Sequence, residues 1–157
     1  MQQRGKMRRK TMPNIMKFVN TIHRCQTVFR SERLSDGICG AHHLFVFAIC
    51  NHPGRSQEEL SKQLFLNKST VTRALSSLES SGYVRREVNP NDKRESLVYP
   101  TEKMTAILPR VREIAAEWNE ILSAGISPEE LSAFLSVIEK MEKNARTAIL
   151  GAEGGEK

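Results

Sequence analysis

Two helix starts lie close together in residues 56–82, and they constrain the fold more than any other part of the chain. Ser56-Gln57-Glu58-Glu59 is a capping box, with Ser at the N-cap and Glu at N3. Asn67 is a good N-cap for a second helix, and Gly82 suits the left-handed position after its end. Only Phe65-Leu66-Asn67 joins the two helices. This spacing predicts a helix-turn-helix.

The second helix of this pair has one apolar face and one polar face. Val71, Ala74, Leu75 and Leu78 are spaced to be buried together. The polar face is rich in small hydroxyl side chains and consists of Lys68, Ser69, Thr70, Thr72, Arg73, Ser76 and Ser77.

Such a face fits the DNA major groove, because small hydroxyl side chains allow close approach and bond phosphates or base edges. Arg73 can reach a guanine edge or a phosphate. The alternative is a solvated amphipathic helix, but such a face more often carries Glu–Lys pairs. We therefore expect the polar face to contact double-stranded DNA.

A β-hairpin is predicted directly after this helix. Tyr83 to Val88 is rich in residues that favour β-strands, and Asn89-Pro90-Asn91-Asp92 is a turn. Leu97 to Tyr99 forms the second strand, which ends at Pro100. A hairpin in this place forms the wing of a winged helix. The predicted fold is mainly α with a small β-hairpin wing: a winged helix-turn-helix DNA-binding domain plus further helices.

The hairpin tip supplies three more candidate DNA contacts, Asp92, Lys93 and Arg94. Arginine suits the narrow minor groove, where negative potential is concentrated. Asp92 is acidic, so we expect it to hold Arg94 in a fixed rotamer through a charge-assisted hydrogen bond. The alternative for the tip is a solvated turn.

The charge of the chain also favours a polyanionic partner. Its 24 Lys and Arg exceed its 18 Asp and Glu, for a formal net charge of +6. Nucleic acid is the first partner to consider and an anionic membrane the second. Aromatic residues make up only 6%, which disfavours single-strand binding by base stacking. The basic start, residues 4–10, is either an arm that touches phosphates or a solvated tail.

Long helices are predicted on both sides of the winged segment. Apolar residues at helical spacing run from Ile15 to Phe29, from Ile107 to Leu122 and from Leu131 to Ile149. The last helix starts at a second capping box, Ser127-Pro128-Glu129-Glu130. The apolar stretch from Leu44 to Cys50 does not distinguish helix from strand.

Several motifs resemble the multiple-antibiotic-resistance regulator (MarR) family of winged-helix transcription factors. The resemblance in helix order covers residues 14–148, and its specific motifs lie in residues 56–101. Two positions depart from the family pattern, since Pro100 stands where Leu is usual and Met104 where Gly is usual. The motifs are Ser56-Gln57-Glu58-Glu59-Leu60, Lys68 to Leu75, Leu78-Glu79, Gly82-Tyr83-Val84 and Asp92-Lys93-Arg94, followed by Val98 and Thr101.

The resemblance implies a homodimer that binds a pseudo-palindromic operator and regulates transcription, with release of a repressor by a small ligand or an oxidant. It also implies dimerisation through the first and last helices. We expect a basic flexible arm at residues 1–13, helical dimerisation regions at 14–35 and 102–149, the DNA-binding lobe at 40–101, and a disordered tail at 150–157. The expected partners are double-stranded DNA, a second copy of the chain and a small-molecule effector.

Cysteine and histidine residues raise two further hypotheses. Cys25 is a candidate sensor thiol, because the peroxide-sensing branch of the family uses a cysteine on this helix; the alternative is a small buried hydrophobe. Cys39, His42, His43, Cys50 and His52 do not follow a standard zinc spacing, so we expect no metal site. His42 and His43 are expected to line a ligand cavity or cap the second helix.

Other classes of function fit the sequence poorly. It contains no nucleophile–base spacing, glycine-rich phosphate loop or paired carboxylate motif, so we expect neither an enzyme nor a bound cofactor. It has no membrane-spanning stretch or signal peptide, and three unevenly spaced cysteines indicate the cytoplasm. The remaining alternative is a thiol- or metal-responsive sensor whose winged helix makes protein contacts.

Overall fold

The computed structural model describes residues 14–34, 38 and 42–153, with side chains described through residue 149. The basic arm expected at residues 1–13 and residues 154–157 lie outside the described residues. The chain divides into two compact units, Met1–Ala116 and Glu117–Lys157.

The first unit is mainly helical and contains a small antiparallel sheet, as the sequence predicted. Its helices are α1 (Ile15–Ser31), α2 (His43–Asn51), α3 (Gln57–Leu64), α4 (Lys68–Ser80) and the larger part of α5 (Glu102–Ser123), and its strands are β1 (Arg55–Ser56), β2 (Val84–Val88) and β3 (Ser96–Pro100).

The wing has three strands in the order β1-β3-β2, one more than the predicted hairpin. Strands β2 and β3 pair from Val84↔Pro100 to Val88↔Ser96. Strand β1 pairs with the other edge of β3, with Arg55 opposite Val98. A two-residue strand is too short to show alternation in a sequence, and only its pairing partner defines it.

The helix caps lie at the predicted residues. The Ser56 Oγ accepts from the Glu59 backbone N–H, and the Glu59 carboxylate accepts from the Ser56 N–H, which completes the capping box. The Asn67 side chain accepts from the Thr70 N–H at 2.8 Å and starts α4. Gly82 follows α4 with φ 74°, a left-handed conformation that favours glycine.

The apolar stretch that the sequence left undecided is helix α2. Phe45, Val46 and Ile49 are all at most 2% exposed. A helix that is apolar on most of its surface is a buried one, which explains why no amphipathic period was visible in the sequence.

The core of the first unit joins α2, the helix-turn-helix, the wing and α5. Its fully buried side chains are Ile38, Val46, Ile49, Ser56, Leu60, Val71, Leu75, Leu78, Tyr83, Val98, Met104 and Ile114.

The base of the wing accommodates Pro100 and Met104. Pro100 has no N–H, but it lies beyond the part of β3 that pairs with β1, where a donor is not needed on that side. The Thr101 N–H then donates to the Tyr83 carbonyl at 3.0 Å, and the Thr101 hydroxyl donates to the Gly82 carbonyl at 2.7 Å. Met104 is fully buried in the first turns of α5. The two departures from the family pattern thus leave the wing closed and α5 intact.

The second unit contains the end of α5 and helix α6 (Pro128–Glu153). The predicted capping box is present, since the Ser127 Oγ accepts from the Glu130 N–H and the Glu130 carboxylate accepts from the Ser127 N–H. Helix α6 runs into the segment that we expected to be a disordered tail. Leu, Ala and Glu in residues 150–153 favour helix and outweigh the single glycine.

No single helix in the described part of the chain is long and apolar enough to cross a membrane, although α5 and α6 taken together meet that length and composition.

Candidate nucleic-acid interface

Helix α4 presents the polar face that the sequence predicted. Six of the candidate residues on this face are exposed, whereas Thr70 is half-buried. On the other face Val71, Leu75 and Leu78 are completely buried. The exposed six are Lys68, Ser69, Thr72, Arg73, Ser76 and Ser77.

Two hydroxyls of this face already donate hydrogen bonds within the chain. Ser69 Oγ donates to Asn67 Oδ1 at 2.9 Å, and Thr72 Oγ1 donates to the Lys68 carbonyl at 2.8 Å. Gln57 Nε2 also donates to Thr72 Oγ1, at 2.6 Å. The hydroxyl hydrogens of Ser69 and Thr72 are therefore not available to a phosphate or a base.

The first cation of α4 is paired with a carboxylate from α3. Glu58 contacts Lys62 at 2.9 Å and Lys68 at 3.4 Å. The hydrogen bond from Lys62, followed by that from Lys68, holds the pKa of Glu58 below its usual range. Sequence reasoning missed Glu58 as part of this surface, because it had assigned the residue to the start of α3.

The second cation of α4 has no such partner. Arg73 is exposed, and its guanidinium makes no hydrogen bond or ion pair with any described residue. Since an arginine has five donors in a rigid fork, this side chain is available for bidentate contact with an acceptor outside the chain.

The wing tip is exposed at Asp92, Lys93 and Arg94. Asp92 does bind Arg94, but its Oδ1 accepts from the Arg94 backbone N–H at 3.0 Å and not from the guanidinium. The prediction that Asp92 fixes the Arg94 rotamer was therefore wrong. An Asx turn uses the nearest backbone donor, and the exposed guanidinium gains little from a surface ion pair. Asp92 shapes the loop, and the Arg94 guanidinium has no partner among the described residues.

Arg86 of β2 connects the wing to α4. Its Nε lies 3.1 Å from a Glu79 carboxylate oxygen, and its Nη2 lies 3.4 Å from Ser76 Oγ. The Nε atom makes no hydrogen bond with any described residue, so its contact with Glu79 is an ion pair only, and it places the Arg86 side chain beside α4. No sequence pattern predicts this contact, because the residues belong to different elements and only the fold brings them together.

A cleft of about 440 Å³ lies between the helix-turn-helix and the wing. Both charge signs line it, so it is not a simple anion site. Its charged lining residues are Glu58, Lys68, Arg86, Asp92, Arg94 and Glu95.

The candidate sensor and ligand residues lie outside this surface. Cys25 is a free thiol on α1 that is exposed in the single chain. Cys50 is half-buried, and burial raises the pKa of its thiol although Arg112 acts in the opposite direction. Cys39 lies outside the described residues. Among the described residues, no group of three or more His, Cys, Asp or Glu side chains is placed to hold a metal ion.

His42 and His43 are both buried at the start of α2. His42 occupies the N-cap position, but its side chain makes no capping hydrogen bond. His43 Nδ1 lies 3.0 Å from Nη1 of Arg30 on α1, and burial lowers the pKa of Arg30. His43 therefore belongs to the packing of α1 against α2, and His42 is buried without capping α2 through its side chain.

Comparison with known proteins agrees with this geometry. Residues 36–95 match the family model described as the MarR family. An uncharacterised helix-turn-helix transcriptional regulator of Bacillus subtilis, YybA, is 23% identical over 134 residues, which is 85% of this chain and 89% of that protein.

Solved structures resemble the chain over most of its length. A MarR protein from Peptoclostridium difficile is 27% identical with a TM-score of 0.86, over 94% of this chain and 98% of that one. A mutant MarR from E. coli, solved in complex with operator DNA, is 25% identical with a TM-score of 0.73, over 80% and 91%. These proteins are transcriptional regulators and not enzymes. Residues 36–95 thus match the MarR family of DNA-binding, winged helix-turn-helix transcriptional regulators, and the described chain has the fold of solved MarR proteins.

Proposed function

We propose that the protein is a homodimeric repressor that binds a pseudo-palindromic operator in double-stranded DNA. Helix α4 enters the major groove, and the wing tip lies in the adjacent minor groove. The observation that carries this proposal is the pair of unpartnered guanidinium groups, Arg73 on α4 and Arg94 on the wing. An ion pair between Arg86 and Glu79 lies between their two elements.

The proposed dimer is supported by apolar side chains that the single chain leaves exposed. On α1, Phe18 is 64% exposed and Val28 is 59% exposed. On α6, Phe134 is 57% exposed and Ile149 is 59% exposed. A second copy that covers these faces removes them from water. Residues 14–35 and 102–149 are thus the proposed dimerisation regions, and 40–101 is the proposed DNA-binding lobe.

The proposal includes release from DNA by a small ligand or an oxidant. An effector of this kind acts by binding better to a dimer geometry that fits DNA poorly. Cys25 on α1 is the proposed target of an oxidant, since its thiol is free and not bonded to another cysteine. The protein acts in the cytoplasm, where free thiols persist and DNA is accessible.

Duplex binding at two salt concentrations tests the proposal. The probe is the DNA upstream of the protein's own gene, compared with a scrambled duplex of the same composition. We expect preference for the upstream duplex and an affinity that falls by about a thousandfold between 50 and 200 mM salt, as for about six phosphate contacts. Weak binding that shows no sequence preference and little salt dependence would contradict the proposal and favour a protein-binding role for the winged helix.

A further inference from the structure

The hydrogen-bonded pair Gln57–Thr72 links the two helices of the helix-turn-helix on their exposed side. The Thr72 hydroxyl donates to the Lys68 carbonyl at 2.8 Å and accepts from Gln57 Nε2 at 2.6 Å. A hydroxyl has one hydrogen, so Thr72 cannot donate to a phosphate or to a base acceptor while this arrangement holds. The same network fixes the orientation of the Gln57 amide, because the Thr72 oxygen can only accept here and the amide atom that faces it must be the nitrogen.

Besides one remaining lone pair on its oxygen, Thr72 still offers its methyl group. Two hydrogen bonds on the oxygen hold χ1 of this β-branched side chain in one rotamer. Ser69 and Ser76 lie three and four positions away on the same exposed stripe of α4. Ser69 and Ser76 are small, whereas Lys68, four positions before Thr72, is long and is paired with Glu58 of α3, so a surface can approach Thr72 closely on the side of the two serines.

We propose that Thr72 recognises a thymine in the operator through contact between its methyl and the thymine 5-methyl in the major groove. Thymine is the one base that presents a methyl group there, and a threonine methyl is a suitable apolar partner. Gln57 is the positioning residue that holds the methyl in place. The inference rests on the proposed sequence-specific binding of duplex DNA.

Replacing thymine by deoxyuridine tests the methyl–methyl contact alone, because uracil keeps every hydrogen-bonding group of thymine and lacks only the 5-methyl group. The full-length protein first selects its preferred duplex from a randomised library. Each thymine of that duplex is then replaced in turn by deoxyuridine. We expect one position in each half-site at which the replacement weakens binding by about fourfold, the value of one buried methyl-sized group.

The variant Thr72→Ser keeps the hydroxyl and removes the methyl. We expect it to bind thymine and deoxyuridine equally well at that position, while Thr105→Ser keeps the wild-type preference. Thr105 is a matched control, because it is exposed on α5 and its hydroxyl also donates to the carbonyl four residues earlier, that of Thr101, at 3.1 Å. Gln57→Leu is expected to reduce the thymine preference and leave the salt dependence unchanged.

Two results would overturn the inference: wild-type protein that tolerates deoxyuridine at every position, or Thr72→Ser protein that keeps the full thymine preference. Either result leaves the proposed function standing as long as the library yields a preferred duplex. A library from which no duplex is enriched would overturn both the proposed function and the inference.

Discussion

At the scale of single residues, the polar side chains of α4 differ in what they can still bond. Lys68 is paired with Glu58, and the hydroxyl hydrogen of Ser69 is used by Asn67. Arg73 keeps all of its donors for a partner outside the described chain. An unpaired guanidinium loses no intramolecular bond when it binds DNA, so Arg73 is expected to make the strongest single contact of this helix.

Arg73→Ala is therefore expected to weaken binding to the selected duplex by about 1–3 kcal/mol and to relax base preference at one position. Titration of wild-type and variant protein with duplexes mutated at each position measures both effects. Arg73→Lys is the matched control, since it keeps the charge but lacks the bidentate fork, and it should retain the salt dependence while losing the base preference. Wild-type affinity in Arg73→Ala would show that α4 presents another face to DNA.

Sequence reasoning found the members of this surface but not the bonds among them. A 3.6-residue period is enough to place Lys68, Thr72 and Arg73 on one face of a helix. The Gln57–Thr72 and Arg86–Glu79 contacts join different elements, and no local pattern encodes them. The error at Asp92 has the same origin, because the choice between a backbone amide and a guanidinium depends on the loop conformation.

At the scale of elements, the turn between α3 and α4 contains a strained residue. Phe65 has φ 52° and ψ 41°, the left-handed conformation that non-glycine residues rarely adopt. Such a conformation costs a residue with a Cβ about 1–2 kcal/mol. The turn joins α3 to α4, so this strain lies next to the N-terminus of the helix proposed to enter the major groove.

Comparison of Phe65→Gly with Phe65→Ala isolates this strain, because both variants lose the ring. We expect the glycine variant to be more stable by about 1 kcal/mol. Ser77 is the control position, because it is exposed inside α4. There we expect the opposite result, with Ser77→Ala more stable than Ser77→Gly by about 1 kcal/mol. Urea unfolding at one fixed protein concentration gives both differences. Equal stability of the two variants at position 65 would mean that the turn relaxes to another conformation.

The wing acts as a second DNA-binding element if its tip reaches the minor groove. Arg94→Ala is then expected to weaken duplex binding by about 1.5–3 kcal/mol, the range for hydrogen bonds to charged groups. Lys93→Ala, at the neighbouring exposed position, should weaken duplex binding less than Arg94→Ala does, and by the same amount for all DNA sequences. Fluorescence anisotropy with one labelled duplex measures both variants. Unchanged affinity in Arg94→Ala would remove the wing from the mechanism.

The elements with local signals were predictable, and those defined by tertiary packing were not. Ser56, Asn67, Gly82 and Ser127 marked helix boundaries because capping depends on residues within one turn. Helix α2 was not distinguishable from a strand, since its burial removes the amphipathic period. Strand β1 exists only through its pairing with β3, which lies about forty residues later in the chain.

At the scale of the whole molecule, the two kinds of exposed surface suggest two kinds of partner. The net charge of +6 and the unpartnered arginines of α4 and the wing favour DNA. The exposed apolar side chains of α1 and of α6 favour protein. A homodimer explains the second kind of surface, and it also supplies two recognition helices for the two halves of a palindrome.

Phe18→Asp tests the dimer directly. Phe18 is 64% exposed on α1 in the single chain, and burying a phenylalanine side chain at an interface contributes about 1.5–3 kcal/mol. The substitution occurs in both copies and also places a carboxylate in an apolar contact, so we expect the dimer to dissociate at micromolar concentration and operator affinity to fall with it. Val88→Asp is the control, because Val88 is 63% exposed but lies on the wing strand β2. Sedimentation equilibrium should show a monomer for Phe18→Asp and a dimer for the wild type and Val88→Asp, whereas a wild-type protein that sediments as a monomer would contradict the proposed assembly.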